Sequence, residues 1–279
     1  MGKKLTKAEA ISFLGLEEII FNNYFTNAEE FNCLPRKKGA RIFFDENNLK
    51  IWKADAVWRT IELTLEDYSL CLDFALAQHF RGYVGSDFST SRQREFGQKI
   101  TNWVKGQLGE VALQKFLIKE YGVKIELDFN IYDDIVPQDI IGVFEKDKVR
   151  NPNIGVGIKS SKPKNAFLIL SENELKIPDR RSDIYIFCRP DIPDDHLLRI
   201  TKSLIIKVVQ GKPHFKRYED LLPDFKNIPC EIAGWCRQDE LKEVRKIPGL
   251  NFEKGTRFVK KSGKLRRSRD EWKKLIEML

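Results

Sequence analysis

Long apolar runs are missing from this sequence. No stretch approaches the roughly 18 uninterrupted apolar residues that a membrane-crossing helix needs. The opening MGKKLTKAEA has no apolar segment of the secretory kind, so a cytoplasmic chain with no membrane partner is expected. Histidine is scarce: His79, His196 and His214 form no H-x-x-x-H pattern, which argues against a zinc enzyme. The five cysteines, Cys33, Cys71, Cys188, Cys230 and Cys236, are odd in number, scattered, and without zinc-knuckle spacing. Buried reduced thiols follow, not a disulfide framework. There is no internal repeat and no low-complexity tract.

The chain does have core material and positive charge. Its 279 residues, 42% of them hydrophobic, allow one large domain or a medium domain plus a small one. The net charge of +8 favours polyanionic partners, because each Lys or Arg set against a phosphate releases a condensed counterion.

Residues 1–55 read as a small module. In LTKAEAISFLGL, Thr6 and Glu9 form a capping box, and Gly15 stops the helix. EEIIFNNYF supplies a second short helix. RKKGARIFF reads as a basic hairpin turning at Gly39, with Arg36, Lys37, Lys38 and Arg41 as candidate DNA contacts. Asp45 caps a third helix, ENNLKIWKA. Helix, turn, helix, basic hairpin, helix is a compact DNA-reading layout. It resembles the winged helix-turn-helix of excisionase and MerR-type proteins, over about residues 4–54. EAISFLG matches their E-A-A-x-x-L-G turn with Ile11 in place of the second alanine. The connection TNAEEFNCLP is longer than in those proteins and carries two acids where DNA contact would be expected.

Residues 56–279 read as a larger domain. The stretch from 56 to about 120 has helical periodicity, ending in one long helix with Gly106 and Gly109 inside it. KIELDFNI, DIIGVFE, NIGVGIKSS, AFLILS, IYIFCR and LIIKVVQG then read as strands. Helices, then short strands, then helices predict an α+β fold, α/β-like, with a central mixed sheet flanked by helices.

Metal-dependent phosphodiester hydrolysis needs carboxylates around a divalent ion, an attacking water and a nearby cation. Mg2+ prefers oxygen ligands and keeps some of its waters. Asp139 at the start of DIIGVFE, Lys159 in VGIKSS and Glu110 in the helical stripe GQLGEVAL can supply that set, with the Ile158 carbonyl as a backbone ligand. An acid in a helix packing stripe is costly unless paired, and a metal shared with Asp139 pairs it.

In this combination the chain resembles the PD-(D/E)xK nuclease superfamily, and most of all its type II restriction endonucleases. PQD stands for the first motif with one residue inserted after Pro137; GIK stands for the second; Glu110 matches the helical glutamate of many members. The resemblance implies a Mg2+-dependent, sequence-specific endonuclease of double-stranded DNA, acting in restriction-modification as a homodimer. Its catalytic set would be Glu110, Asp139 and Lys159, with Asp139, Glu110 and Ile158 on the metal. Gly157 departs from the family, which often has an acid or hydroxyl there, so activity is impaired or another acid substitutes. Glu172 and Glu174 in SENEL lie downstream, within possible reach. The alternative is a DNA-binding regulator with an inactive nuclease fold. Further candidate DNA contacts are Arg92 and Arg94, then Ser160, Ser161, Lys162 and Lys164. A basic C-terminal run, Lys260 to Arg269, is a candidate phosphate grip with a hairpin tip at Gly263.

Overall fold

Thr6 starts the first helix as its sequence predicts: the Thr6 N–H donates to Glu9 Oε2 at 2.8 Å while the Thr6 hydroxyl accepts from the Glu9 N–H. The structure, a computed structural model, describes residues 2–30, 36–38, 41–81, 96–131, 139–146, 148–178, 181–212, 219–247 and 255–279. It begins with β1 (Lys4–Leu5) and α1 (Lys7–Leu14), which ends at Gly15 with φ 68. Then come α2 (Glu18–Asn22), a π-helical turn (Asn23–Ala28), and β2 (Arg36–Lys38) paired antiparallel with β3 (Arg41–Asp45). The Asp45 carboxylate accepts from the N–H groups of Asn47 and Asn48 and opens α3 (Glu46–Trp58). Leu5, Leu14, Phe21, Phe44 and Leu49 close a small core of their own. α3 runs through the 55/56 boundary, and its last residue, Trp58, packs on Phe116 of the larger core.

The rest of the chain runs β4 (Thr60–Leu63), α4 (Leu65–Arg81), α5 (Phe96–Tyr121), β5 (Ile125–Leu127), β6 (Ile140–Glu145), β7 (Lys148–Arg150), β8 (Val156–Ser160) and β9 (Phe167–Ser171). It continues through α6 (Glu172–Lys176), β10 (Ile184–Pro190), α7 (His196–Ile200), α8 (Lys202–Val209), β11 (Ile228–Arg237), β12 (Lys242–Val244), β13 (Arg257–Lys261) and α9 (Arg269–Met278).

The central sheet has the order β4-β11-β10-β8, antiparallel except that β8 runs parallel to β10. It is therefore a mixed sheet in a mixed α and β chain, in line with the predicted class. Strand alternation gives it two buried faces. Val156, Ile158, Ile184 and Ile186 meet Val104, Leu108 and Val111 of α5 on one side. Tyr185 and Phe187 meet Leu168 and Leu170 of β9 on the other. Among the described residues no helix is long and apolar enough to cross a membrane.

Gly106 and Gly109 do not break α5. Gly109 is needed for close approach: a Cβ there would lie 1.9 Å from Ser160 Oγ and 3.0 Å from Cys188 Cβ. Two expectations are corrected. LIIKVVQG forms helix α8, not a strand; a short apolar run reads alike as either, and among the described residues no strand pairs with it. Within the stretch expected to be helical, Thr60–Leu63 is a strand, because Ile61 and Leu63 alternate into the core beside β11.

Candidate active site

The site is built around β8, the last strand of the central sheet. Backbone groups at 155 and 161 point toward β10: the Gly155 carbonyl accepts from Ile184, and Ser161 N–H donates to the Cys188 carbonyl at 3.0 Å. The even positions therefore face outward. The Val156 carbonyl accepts from the Asp139 N–H at 3.3 Å, and the Ile158 N–H donates to the Asp139 carboxylate. A residue's N–H and C=O leave a strand on the same side, so the Ile158 carbonyl points to the edge that Asp139 occupies.

Glu110 reaches this edge from α5. It is 8% exposed, and its Oε1 accepts from Gln107 Nε2 at 3.1 Å. Burial first, and then the negative charge of Asp139, push its carboxyl well above the usual range. Burial also raises Asp139, against the Lys159 ammonium and the Ile158 N–H, which favour its charged form. Two acids are thus pushed toward their neutral forms at one buried edge.

Lys159 comes from the opposite face of β8. Burial opposes its charge, but Glu174 and Asp139 outweigh that and hold the amine firmly protonated. Its Nζ lies 2.7 Å from Glu174 Oε1. Glu174 stands in α6, straight after β9, where Oε2 accepts from the Ser171 N–H at 2.8 Å in a capping box. One carboxylate thus both caps a helix and fixes the lysine. Burial favours its neutral form, yet Lys159 and Ser171 hold it below the usual carboxylate range. Its sequence signal is the S-x-x-E box at Ser171, whose acid has an oxygen to spare.

Gly157 has a steric reason. A Cβ there would sit 2.9 Å from Tyr185 Cε1 and 3.0 Å from Ser182 Oγ. Tyr185 is the neighbour of Gly157 across the parallel ladder, and its hydroxyl accepts from the Ser182 N–H at 3.0 Å. An acid at 157 has no room, and Glu174 is the carboxylate on that side of the lysine.

The donor set of Asp139, Glu110 and the Ile158 carbonyl is all oxygen and hard, which fits Mg2+ better than a softer ion. Among the described residues no group of three or more His, Cys, Asp and Glu side chains could hold an ion. Backbone oxygen and water would have to complete the shell.

The candidate DNA contacts divide. Ser160 turns to the α5 face, where its hydroxyl donates to the Gly106 carbonyl at 3.3 Å and packs helix against strand. Ser161 accepts from the Asn165 amide through its hydroxyl. Lys162 is paired with Asp194, and Lys164 is exposed. Arg36, Lys37, Lys38 and Arg41 lie on the β2–β3 hairpin, where the backbone alone is described. Gly39, Arg92, Arg94 and Pro137 lie outside the described residues.

The C-terminal basic run is engaged with acids of the chain itself. Lys261 and Lys264 face Glu29 at 2.6 and 3.2 Å, Arg266 is paired in two places with Glu240, and Arg269 lies 3.3 Å from Glu120. Gly263 is in a 3-10 turn against the π-helical turn, not at a hairpin tip. Glu29 and Glu30, the acids that depart from the reader layout, bind part of this run, at Lys261, Ser262, Lys264 and Arg267.

Comparison with protein-family models, with curated proteins and with solved structures finds no match.

Proposed function

We propose that the chain is a Mg2+-dependent, sequence-specific endonuclease of double-stranded DNA, of the type II restriction kind, working as a homodimer. The observation that carries this is the meeting of Glu110, Asp139 and the outward Ile158 carbonyl at one strand edge, with Lys159 beside them. Two-fold symmetry suits cutting both strands of a symmetric site. α1, the Gly15 turn, α2, the β2–β3 hairpin and α3 support a winged helix-turn-helix reader.

Asp139, Glu110 and the Ile158 carbonyl would hold Mg2+. When bound, the ion lowers the pKa of a coordinated water and stabilises charge on the phosphorus. Lys159, held protonated, acts as a fixed cation near the attacked phosphate and not as the base that deprotonates water. Glu174 aims that amine, and Gln107 aims the Glu110 carboxylate.

Digestion of a long duplex with Mg2+ or EDTA, followed by sequencing of the ends, tests the reading. Defined ends with Mg2+ alone support it; intact DNA removes it.

Gly157 favours one other reading, a DNA-binding regulator with an inactive nuclease fold, since no ligand comes from that position. Specific gel shift without cutting, unchanged by Lys159→Ala, would establish it.

A further inference from the structure

We infer that Glu30 and Arg189 fix the N-terminal helix–hairpin unit to the sheet that carries Lys159, so that DNA held by that unit meets the cutting site at one set offset. The offset rests on the proposed function; the fixed mounting does not.

Arg189 lies on β10, two positions beyond Phe187, the parallel-ladder partner of Lys159. Its Nη2 donates to Glu30 Oε1 at 2.8 Å, its Nε lies 3.2 Å from Glu231 Oε2, and its guanidinium covers the Tyr24 ring at 4.3 Å. Glu30 also accepts from the Ser262 hydroxyl, and Arg267 lies 3.8 Å from its other oxygen. Arg59 completes the cluster, 2.8 Å from Glu231 and bonded to the Ile232 carbonyl at 3.0 Å. Glu30, Arg59 and Arg189 are each 1% exposed.

Ion pairs this deep add little net stability, because desolvation offsets their attraction. What they add is geometry. Apolar surfaces can slide past one another, whereas a guanidinium fork accepts a carboxylate in few orientations. The surrounding contacts point the same way. Asn23 Nδ2 donates to the Lys164 carbonyl at 2.6 Å, just past β8. A Cβ at Gly263 would lie 2.0 Å from the Ala28 carbonyl oxygen, so the two backbones touch. Besides α3, which carries Leu49 in the small core and Trp58 on Phe116, the attachment points are thus β10, the turn after β13 and the loop after β8.

The test places spin labels at Ser12→Cys and Lys273→Cys, both exposed, in a Cys33→Ser chain whose four other cysteines are buried. Pulsed dipolar spectroscopy should give one narrow inter-label distance. Glu30→Gln should lose it to a broad distribution. The double variant Glu30→Gln, Arg189→Met removes the pair without stranding either partner, and it keeps the test decisive if the single variant fails to fold. A folded double variant with the narrow distance intact overturns the mounting. In parallel, end mapping on a long duplex should show one cut offset for the parent chain and scattered offsets for the double variant. Unchanged ends beside a broadened distance overturn the offset. No cutting by the parent chain removes the nuclease reading, while the distance measurement still decides the mounting.

Discussion

The ring of Tyr185 lies across the backbone of Gly157, so closely that a single methyl at 157 would sit 2.9 Å from Cε1. The ring is held from behind by the bond from the Ser182 N–H to its hydroxyl. The absent acid at this position is therefore a packing requirement.

Gly157→Ala should destabilise the protein. Replacing a strand glycine gains roughly 0.5–1 kcal/mol, but overpacking against a pinned ring costs about 1–3 kcal/mol. Thermal unfolding should show a lower Tm. Gly157→Glu should be worse and should not raise cutting; a gain in cutting would mean that an acid is wanted there after all.

Lys159→Met should remove cutting by about 100-fold or more, the scale of losing one fixed charge at a reacting centre. It also strands the largely buried Glu174 carboxylate, so stability should fall by about 1–3 kcal/mol. Adding Glu174→Gln should restore stability without restoring cutting. Strict additivity of the two changes would contradict a direct pair.

Glu110 sets a pH dependence. Burial, then Asp139, raises its carboxyl, so above the ordinary glutamate range the folded chain keeps a proton that the unfolded chain has released. The folded state then binds more protons, and stability falls as pH rises through that window. Melting curves in EDTA should show this slope. Millimolar Mg2+ should flatten it, since bound metal takes the proton's place. Glu110→Gln should flatten it too, raise the metal-free Tm near neutral pH, and abolish cutting.

His196 should act in the opposite sense. It is buried, with Tyr68 on Nδ1 and Thr101 on Nε2 at 2.9 Å; Thr101 already donates to the Gly97 carbonyl, so Nε2 carries the proton. Burial lowers its pKa below the ordinary histidine value. Its contribution is full above that ordinary value and fades as pH falls below it, because the unfolded chain then binds the extra proton. His196→Gln should weaken this acid sensitivity in melts between pH 5 and 7.

Local chemistry was the legible part of the sequence. The Thr6–Glu9 box, the Gly15 stop, the Asp45 cap and the α5 stripe are all decided by neighbours a few residues away. Glu110, Asp139 and Lys159 can be picked out by type and spacing. In the fold Glu110 feels the charge of both others, and Asp139 and Lys159 feel each other, Lys159 from the opposite face of β8. Glu174 could not be ranked, because its contact with Lys159 joins β8 to a helix beyond β9. The fate of the C-terminal basic run was hidden for a similar reason: a cationic stretch does not name its partner, and Glu29 lies at the other end of the chain. α8 is not legible in this way, because a short apolar run such as LIIKVV reads alike as helix or strand.

The contact of Gly109 with Ser160 has an evolutionary consequence. The helix backbone there rests directly on the Ser160 and Cys188 side chains, with no side chain of its own between, and the next residue is Glu110. Any larger residue at 109 lifts the helix and carries the neighbouring acid away from its partners. Position 109 is thus expected to be as intolerant of drift as the acids themselves, without ever meeting a substrate.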